Sequence, residues 1–121
     1  MNPINIALVD DHKIFSTALE NMISSNPLYK VSIIGNHGDD FIEKLNAAKV
    51  HPEIVLMDVR MPYKDGIETT QYLTENHPNI KVIALTMEDN EDSIIKMLKA
   101  GAKGYLLKDI HPQILFDALE T

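Results

Sequence analysis

The sequence predicts a doubly wound α/β fold in which helices cover both faces of a five-stranded parallel sheet. Short apolar segments alternate five times with stretches of helical spacing, and turn residues separate them at short intervals. The 121 residues suffice for one core but not for two. Because connections between parallel strands are right-handed, this alternation places helices on both faces of one sheet. We therefore expect residues 1–121 to form a single domain.

The predicted strands are short, rich in branched residues and nearly uninterrupted by polar ones. This pattern is typical of strands that are buried on both faces. The five strands are predicted at Ile4–Val9, Val31–Ile34, Ile54–Met57, Ile80–Leu85 and Tyr105–Leu107.

The predicted helices carry apolar residues at the three- and four-residue spacing of a helix face. The first and the last show it most clearly, at Ile14, Phe15, Ala18, Leu19, Met22 and Ile23 and at Ile114, Leu115, Ala118 and Leu119. The other three are predicted around Phe41–Ala48, Gly66–Asn76 and Asp92–Ala100. Together the elements predict a flavodoxin-like arrangement with strand order 2-1-3-4-5.

Charge and composition restrict the classes of partner. The formal net charge of −7, from 11 Lys and Arg against 18 Asp and Glu, disfavours nucleic acid and anionic membranes because phosphate groups would be repelled. The absence of cysteine excludes disulfides and metal–thiolate sites and agrees with a reducing cytoplasm. The N-terminal apolar run stops at Asp10, too soon for a signal peptide or a spanning helix. We expect a cytoplasmic protein that makes no membrane contact.

Polar residues follow the predicted strands where each one ends. Asp10 and Asp11 follow the first strand, Asp58 the third, Thr86 the fourth and Lys108 the fifth. In open parallel sheets ligands bind beyond these carboxyl ends, so we expect the five side chains to converge. Crowded carboxylates repel one another and raise one another's pKa unless a cation or a lysine neutralises them. The sequence therefore predicts a metal site at this edge.

Mg²⁺ suits such a site, because it prefers oxygen ligands and is typically held by one or two carboxylates with a phosphate oxygen. Asp11 and Asp58 can supply those carboxylates. The Asp58 carboxylate could also attack phosphorus, as in aspartyl-phosphate intermediates, with Lys108 as counter-charge and Thr86 as hydroxyl donor. Phosphoryl transfer onto Asp58 is thus the chemistry that these residues favour.

Each of these residues also has a plainer interpretation. Asp11 could cap the first helix. Asp58 and the Asp65-Gly66 pair could be turn residues, and Thr86 could simply end a strand. Lys108 could be an exposed surface lysine.

The histidines do not have the close helical spacing of a zinc site. They lie in separate loops or helix starts, at His12, His37, His51, His77 and His111. His12 could affect the titration of the neighbouring acidic pair, but we interpret it mainly as a residue of the helix start.

Five motifs resemble those of response regulator receiver domains, the phosphoacceptor modules of bacterial two-component signal transduction. They are Val9-Asp10-Asp11-His12, Leu56-Met57-Asp58-Val59-Arg60-Met61-Pro62, Asp65-Gly66, Ala84-Leu85-Thr86 and Gly104-Tyr105-Leu106-Leu107-Lys108-Asp109. Each motif alone is weak, but their order and spacing over essentially the whole chain make a specific signal. The segment from Gly101 to Asp109 is most similar to the NarL/FixJ (LuxR-type) subgroup.

The resemblance implies a Mg²⁺-dependent phosphoacceptor site. Asp58 would take a phosphoryl group from a sensor histidine kinase or a phosphotransfer protein. Asp10, Asp11 and Asp58 would hold Mg²⁺ together with the backbone carbonyl of Arg60. Self-phosphorylation and slow self-dephosphorylation would be the only reactions, so we do not expect an enzyme or an organic cofactor.

The resemblance also implies a conformational switch. Thr86 and Lys108 match the phosphate-binding and switch positions, and Tyr105 matches an aromatic residue that changes rotamer. Phosphorylation would alter the surface of the fourth helix, fifth strand and fifth helix and could produce a homodimer. These changes are of the kind in which a local charge biases a two-state element.

The output depends on what accompanies the receiver. Members of the NarL/FixJ subgroup usually carry a C-terminal helix-turn-helix domain, so we expect a piece of a transcription regulator that contacts DNA only through such a domain. The alternative is a stand-alone receiver that acts through protein contacts.

Two other classes fit the sequence less well. An aspartyl-phosphate phosphatase of the haloacid dehalogenase kind needs a second Asp two residues after the nucleophile, where this chain has Arg60. A flavin or nucleotide carrier of the same fold needs phosphate-binding glycines, and the glycines here form neither a P-loop nor a dinucleotide motif.

Overall fold

Strands and helices alternate five times in the computed structural model of the protein, which describes residues 3–59, 65–87, 91–109 and 111–120. The strands are β1 (Ile4–Val9), β2 (Tyr29–Gly35), β3 (Ile54–Asp58), β4 (Lys81–Thr86) and β5 (Gly104–Leu107). The helices are α1 (Lys13–Ser24), α2 (Gly38–Ala47), α3 (Gly66–Asn76), α4 (Glu91–Ala100) and α5 (Pro112–Glu120). The predicted element order is confirmed.

The strands form one sheet of order β2-β1-β3-β4-β5, and every neighbouring pair is parallel. This confirms the doubly wound, flavodoxin-like prediction. The strand order reverses at β1, which pairs with β2 on one side and with β3 on the other. In such sheets the ligand crevice lies at this switch point, beyond the carboxyl ends of β1 and β3.

Two apolar layers, one on each face of the sheet, make the core. On one face the buried side chains of α2, α3 and α4 include Phe41, Leu45, Leu73 and Met97. On the other face those of α1 and α5 include Leu19, Ile23, Leu115 and Leu119. None of the helices in the described part of the chain has the length and apolar character that a bilayer crossing needs.

The edge strands are more exposed than predicted. Every residue of β3 is buried, whereas β2 and β5 include exposed and partly exposed positions, and Tyr105 of β5 is 45% exposed. Each edge strand pairs with only one neighbour, so the covering helices leave part of it open. The prediction of burial on both faces is therefore wrong for β2 and β5.

A close backbone contact fixes the start of α3 against the end of β3. The Gly66 N–H donates to the carbonyl oxygen of Val59 at 3.0 Å. A Cβ atom on Gly66 would overlap the carbonyl oxygen of Asp58. Only glycine lets the helix begin this near the last residue of the strand.

Candidate functional site

The carboxyl ends of β1 and β3 bring the predicted acidic residues together. Ligand atoms of Asp10, Asp11, His12 and Asp58 all lie within 4.8 Å of one another. Asp10 directly follows β1 and Asp58 is the last residue of β3, and these strands are neighbours in the sheet. The topology therefore creates a cluster of three carboxylates with an imidazole beside it.

Asp58 is a buried carboxylate at the centre of this edge. Its side chain is 5% exposed. Burial first, and then the negative charge of Asp10, raise its pKa to about 7, although the positive charge of Lys108 lowers it. Its Oδ2 atom is buried and has no hydrogen-bond partner within the described part of the chain. The Oδ2 atom of an ionised Asp58 can therefore still accept a hydrogen bond or bind a cation.

Lys108 is buried among these acids, so its plainer interpretation as an exposed lysine is wrong. Its side chain is 4% exposed, and its Nζ atom lies 2.7 Å from Asp10 Oδ2 and 3.4 Å from Asp58 Oδ1. The contact with Asp10 is a short ion pair between two buried side chains. Nζ also lies 5.0 Å from the centroid of the Phe15 ring, a cation–π contact that closes one side of the site.

His12 lies closer to the acids than its interpretation as a helix-start residue indicated. Its backbone N–H donates to Asp10 Oδ1 at 2.8 Å, and its Nδ1 atom lies 3.0 Å from the same oxygen. Nδ1 is 3.5 Å from Asp11 Oδ1 and 3.9 Å from Asp58 Oδ2. His12 rather than Asp11 is the N-cap residue of α1. The alternative role of Asp11 as a helix cap is therefore wrong.

Thr86 and Tyr105 lie on the neighbouring strands β4 and β5. Thr86 is buried at the end of β4, and its carbonyl oxygen accepts the backbone N–H of Lys108 at 2.8 Å. Tyr105 lies two residues before the end of β5 and is half-exposed. The backbone thus links Thr86 directly to Lys108, while the structure shows Tyr105 only as a half-exposed side chain of the edge strand.

Two further predicted positions have different outcomes. The Asp65 carboxylate accepts the Glu68 N–H at 2.9 Å and caps α3, which confirms its plainer interpretation. Arg60, predicted to offer a backbone carbonyl to the metal, lies outside the described residues.

Sequence reasoning missed two contacts of this site, those of Phe15 and of the His12 ring. Phe15 was assigned only to the apolar face of the first helix. Its position four residues after Asp11, one helical turn from the acids, is the signal that could have placed it here.

The donor set fits a divalent cation. Three carboxylates face one lysine, which leaves two negative charges in excess when all the acids are ionised. The unpaired Asp58 Oδ2 is directed into the cluster, where a cation would satisfy it. Carboxylate oxygens are the ligands that Mg²⁺ prefers.

A doubly wound sheet with buried carboxylates and an ion-paired lysine at its switch point has the architecture of a signalling receiver module. The chain belongs to the response regulator receiver domain family, whose model matches residues 6–120. The resemblance found in the motifs is confirmed, and the receiver interpretation prevails over the phosphatase and nucleotide-carrier alternatives. Receiver domains are components of two-component regulators rather than classical enzymes, and their regulators work with histidine kinases.

Characterised relatives support the subgroup as well. The transcriptional regulatory protein DegU of Brevibacillus brevis is 34% identical over 120 residues, covering 99% of this chain and 50% of that protein. The nitrate/nitrite response regulator NarL of Escherichia coli K12 is 34% identical over 119 residues, covering 97% of this chain and 53% of that protein. The chain therefore spans about half the length of the curated relatives it matches.

A solved structure agrees with both the fold and the subgroup. The two-component response regulator of the LuxR family from Aurantimonas sp. SI85-9A1 superposes with a TM-score of 0.88 at 28% identity. The match covers 98% of this chain and 84% of that one. The receiver is thus of the NarL/LuxR type.

Proposed function

We propose that the chain is a Mg²⁺-dependent phosphoacceptor that takes a phosphoryl group onto Asp58 and thereby switches an output. The observation that carries the proposal is the buried Asp58 carboxylate, which has an unpaired oxygen and lies beside Asp10 and Lys108. Burying such a group costs free energy that a purely structural site would avoid.

Asp58 would act as the nucleophile. One carboxylate oxygen forms a bond to phosphorus as the bond from phosphorus to the donor breaks, and the donor leaves with the electron pair. The donor is a histidine of the kinase or a phosphotransfer protein in the cell, or an acyl phosphate in solution. Later attack of water on phosphorus would release inorganic phosphate and restore the carboxylate.

A divalent cation would be held by Asp10, Asp11 and Asp58, with the backbone carbonyl of Arg60. When bound, Mg²⁺ neutralises the crowded carboxylates and the phosphoryl oxygens. Lys108 supplies a fixed positive charge already within 3.4 Å of Asp58 Oδ1. The lysine can therefore contact a phosphoryl group at Asp58 with little movement.

The switch would run from Asp58 through β4 and β5. A phosphoryl group at Asp58 offers acceptor oxygens to the Thr86 hydroxyl and to Lys108. The hydrogen bond between the Lys108 N–H and the Thr86 carbonyl oxygen links the two strand ends, so a shift at one moves the other. Tyr105, half-exposed on β5, would change rotamer and alter the surface formed by α4, β5 and α5.

The output would be control of transcription. DegU is named as a transcriptional regulatory protein, and this chain matches only about half of it. We infer that residues 1–121 form the receiver domain of such a regulator, that phosphorylation favours a homodimer, and that DNA is contacted only by a separate helix-turn-helix domain. A stand-alone receiver acting through protein contacts is the second candidate.

Intact mass spectrometry tests the phosphoacceptor directly. Incubation with acetyl phosphate or phosphoramidate and Mg²⁺ should add one phosphoryl group, and EDTA should prevent the addition. Asp58→Asn should abolish it, whereas Asp40→Asn, at an acid of α2 that is not part of the acidic cluster, should not. A gain that persists in Asp58→Asn would refute the assignment.

A further inference from the structure

The His12 imidazole has no evident role in folding. His12 caps α1, yet its side chain makes no capping hydrogen bond. The ring is 59% exposed, so it adds little to the core. Its Nδ1 atom is nevertheless directed into the acidic cluster, towards the one buried carboxylate oxygen of Asp58 that has no hydrogen-bond partner among the described residues.

The spacing of the donor atoms suits a shared cation. Around an octahedral ion with bonds of about 2.1 Å, adjacent ligand atoms are about 3.0 Å apart and opposite ones about 4.2 Å apart. The Nδ1 atom of His12 lies 3.0, 3.5 and 3.9 Å from oxygens of Asp10, Asp11 and Asp58 respectively. All three separations fall within that range.

The Nδ1 atom of His12 has a carboxylate oxygen and an ammonium group as neighbours. It lies 3.0 Å from Asp10 Oδ1 and 3.2 Å from Lys108 Nζ. A lone pair on Nδ1 suits the ammonium group but not the oxygen. A cation held by the carboxylates could accept this lone pair together with those of the oxygens.

We propose that His12 Nδ1 is a direct ligand of the divalent cation, so that the site is a mixed nitrogen and oxygen site that favours borderline transition-metal ions. The inference rests on the proposed function, since it concerns the same cation site. Imidazole binds Co²⁺ and Ni²⁺ much better than it binds Mg²⁺, which prefers oxygen. His12 therefore determines metal preference, while the carboxylates supply the charge common to all divalent ions.

Calorimetric titration of the metal-free chain with Mg²⁺ and with Co²⁺ separates these contributions. In His12→Ala the affinity for Co²⁺ should fall by about tenfold or more, while that for Mg²⁺ should change by less than about twofold. His77→Gln is the matched control, because His77 is an imidazole outside the acidic cluster, where its ring packs against that of His51 with centroids 5.0 Å apart. It should leave both affinities unchanged.

Pulsed electron paramagnetic resonance of bound Mn²⁺ supplies a readout that does not depend on affinity. A nitrogen coupling should be present in the natural chain and absent in both His12→Ala and His12→Asn, the second of which preserves a good helix cap. Equal losses of Mg²⁺ and Co²⁺ affinity, or a coupling that survives in these variants, would overturn the inference.

The outcomes also separate this inference from the proposed function. If Mg²⁺ binds and Asp58 is phosphorylated but no nitrogen coupling is seen, only the role of His12 is wrong. If neither ion binds the natural chain, both proposals fail.

Discussion

The two ends of the sheet differ in whether charged side chains are buried there. At the carboxyl ends of the strands, the side chains of Asp10, Asp58 and Lys108 are almost fully buried. The two carboxylates share the ammonium group of the lysine. At the amino end a cavity of about 370 Å³ is lined in part by His51 and His77, whose rings meet edge to face. Both ends consist of chain reversals, so the fold alone does not require buried charge at either. Among the described residues, the buried charged side chains lie at the carboxyl end, where ligands bind in open parallel sheets.

The pKa shifts at the two ends of the sheet have opposite directions. Burial and Asp10 raise the pKa of Asp58 to about 7, so this group carries a destabilising charge at alkaline pH. Burial first, and then the charge of His51, lower the pKa of His77. Four predictions test this contrast, from the largest expected effect to the smallest.

Replacement of Lys108 should have the largest effect. Lys108→Met removes the only lysine or arginine in contact with Asp10 and Asp58 among the described residues, and we expect phosphorylation by acetyl phosphate to slow by about a hundredfold. The time course of the phosphorylated mass measures this. Lys103→Met, at an exposed lysine just before the amino end of β5, should leave the rate unchanged. Equal rates in all three proteins would contradict a role for the buried lysine.

Neutralising Asp58 should stabilise the metal-free protein at alkaline pH. An acid with a raised pKa keeps its proton longer in the folded state, so folding stability falls as pH rises from about 4 to about 7 and is then level. Asp58→Asn should remove this loss and raise the free energy of unfolding at pH 8 by about 1–3 kcal/mol, as measured by urea denaturation.

Asp40 supplies a control of opposite sign. The backbone N–H of Asn36, followed by Lys44, lowers its pKa, so it stabilises the fold above its usual pKa and loses that contribution as pH falls. Asp40→Asn should therefore weaken the fold at pH 8. Stabilisation of similar size in both variants would mean that net charge, not the site, explains the result.

Mg²⁺ should stabilise the folded protein by binding at the acidic cluster and not at the amino end of the sheet. A ligand that binds only the folded state at ten times its dissociation constant adds about 1.4 kcal/mol. We expect a matching rise in Tm for the natural chain and for His51→Gln, but none for Asp58→Asn. A rise in Asp58→Asn equal to that of the natural chain would place the ion elsewhere.

Changes at the amino end should have the smallest effect. His77→Gln should change the free energy of unfolding by less than about 0.5 kcal/mol at pH 7.5 and leave phosphorylation intact. A lowered histidine pKa means that stability is lost as pH falls below the usual value of 6.5, because the unfolded chain then binds more protons. His77→Gln should therefore be less sensitive to acid between pH 6.5 and 5. A loss of phosphorylation in His77→Gln would contradict the conclusion that only the carboxyl ends of the strands form the phosphoacceptor site.

Local patterns predicted most of the fold. The bounds of β1 and α3 agree with the prediction residue for residue, because each is flanked by strong turn or capping residues. The bounds of β2 do not agree. Its first residues pair with β1 through the backbone, so Lys30 becomes a strand residue opposite Asn5 although neither side chain is apolar. Pairing of this kind depends on the partner strand and leaves no mark in the local sequence.

In the candidate site, too, some contacts could be predicted from the sequence, whereas others depend on segments that are distant in the chain. Asp10, Asp58 and Lys108 could be predicted to meet because each follows a strand, and the topology alone brings strand ends together. The contacts of Lys108 with His12 and Phe15 could not, because they bring the residue after β5 against the start of α1, more than ninety residues away in the sequence. The exposure of Tyr105 likewise follows from the edge position of β5. The roles of these residues stay predictions until phosphorylation is measured.

The packing of Gly66 against Asp58 sets a limit for protein engineering. A designer who moved the three acids and the lysine into another α/β scaffold would reproduce the charges but not the place where the neighbouring helix begins. Any side chain at that position would collide with the backbone of the acceptor residue and push the helix away from the strand. The smallest portable version of this site is therefore a set of four side chains together with one residue that has none.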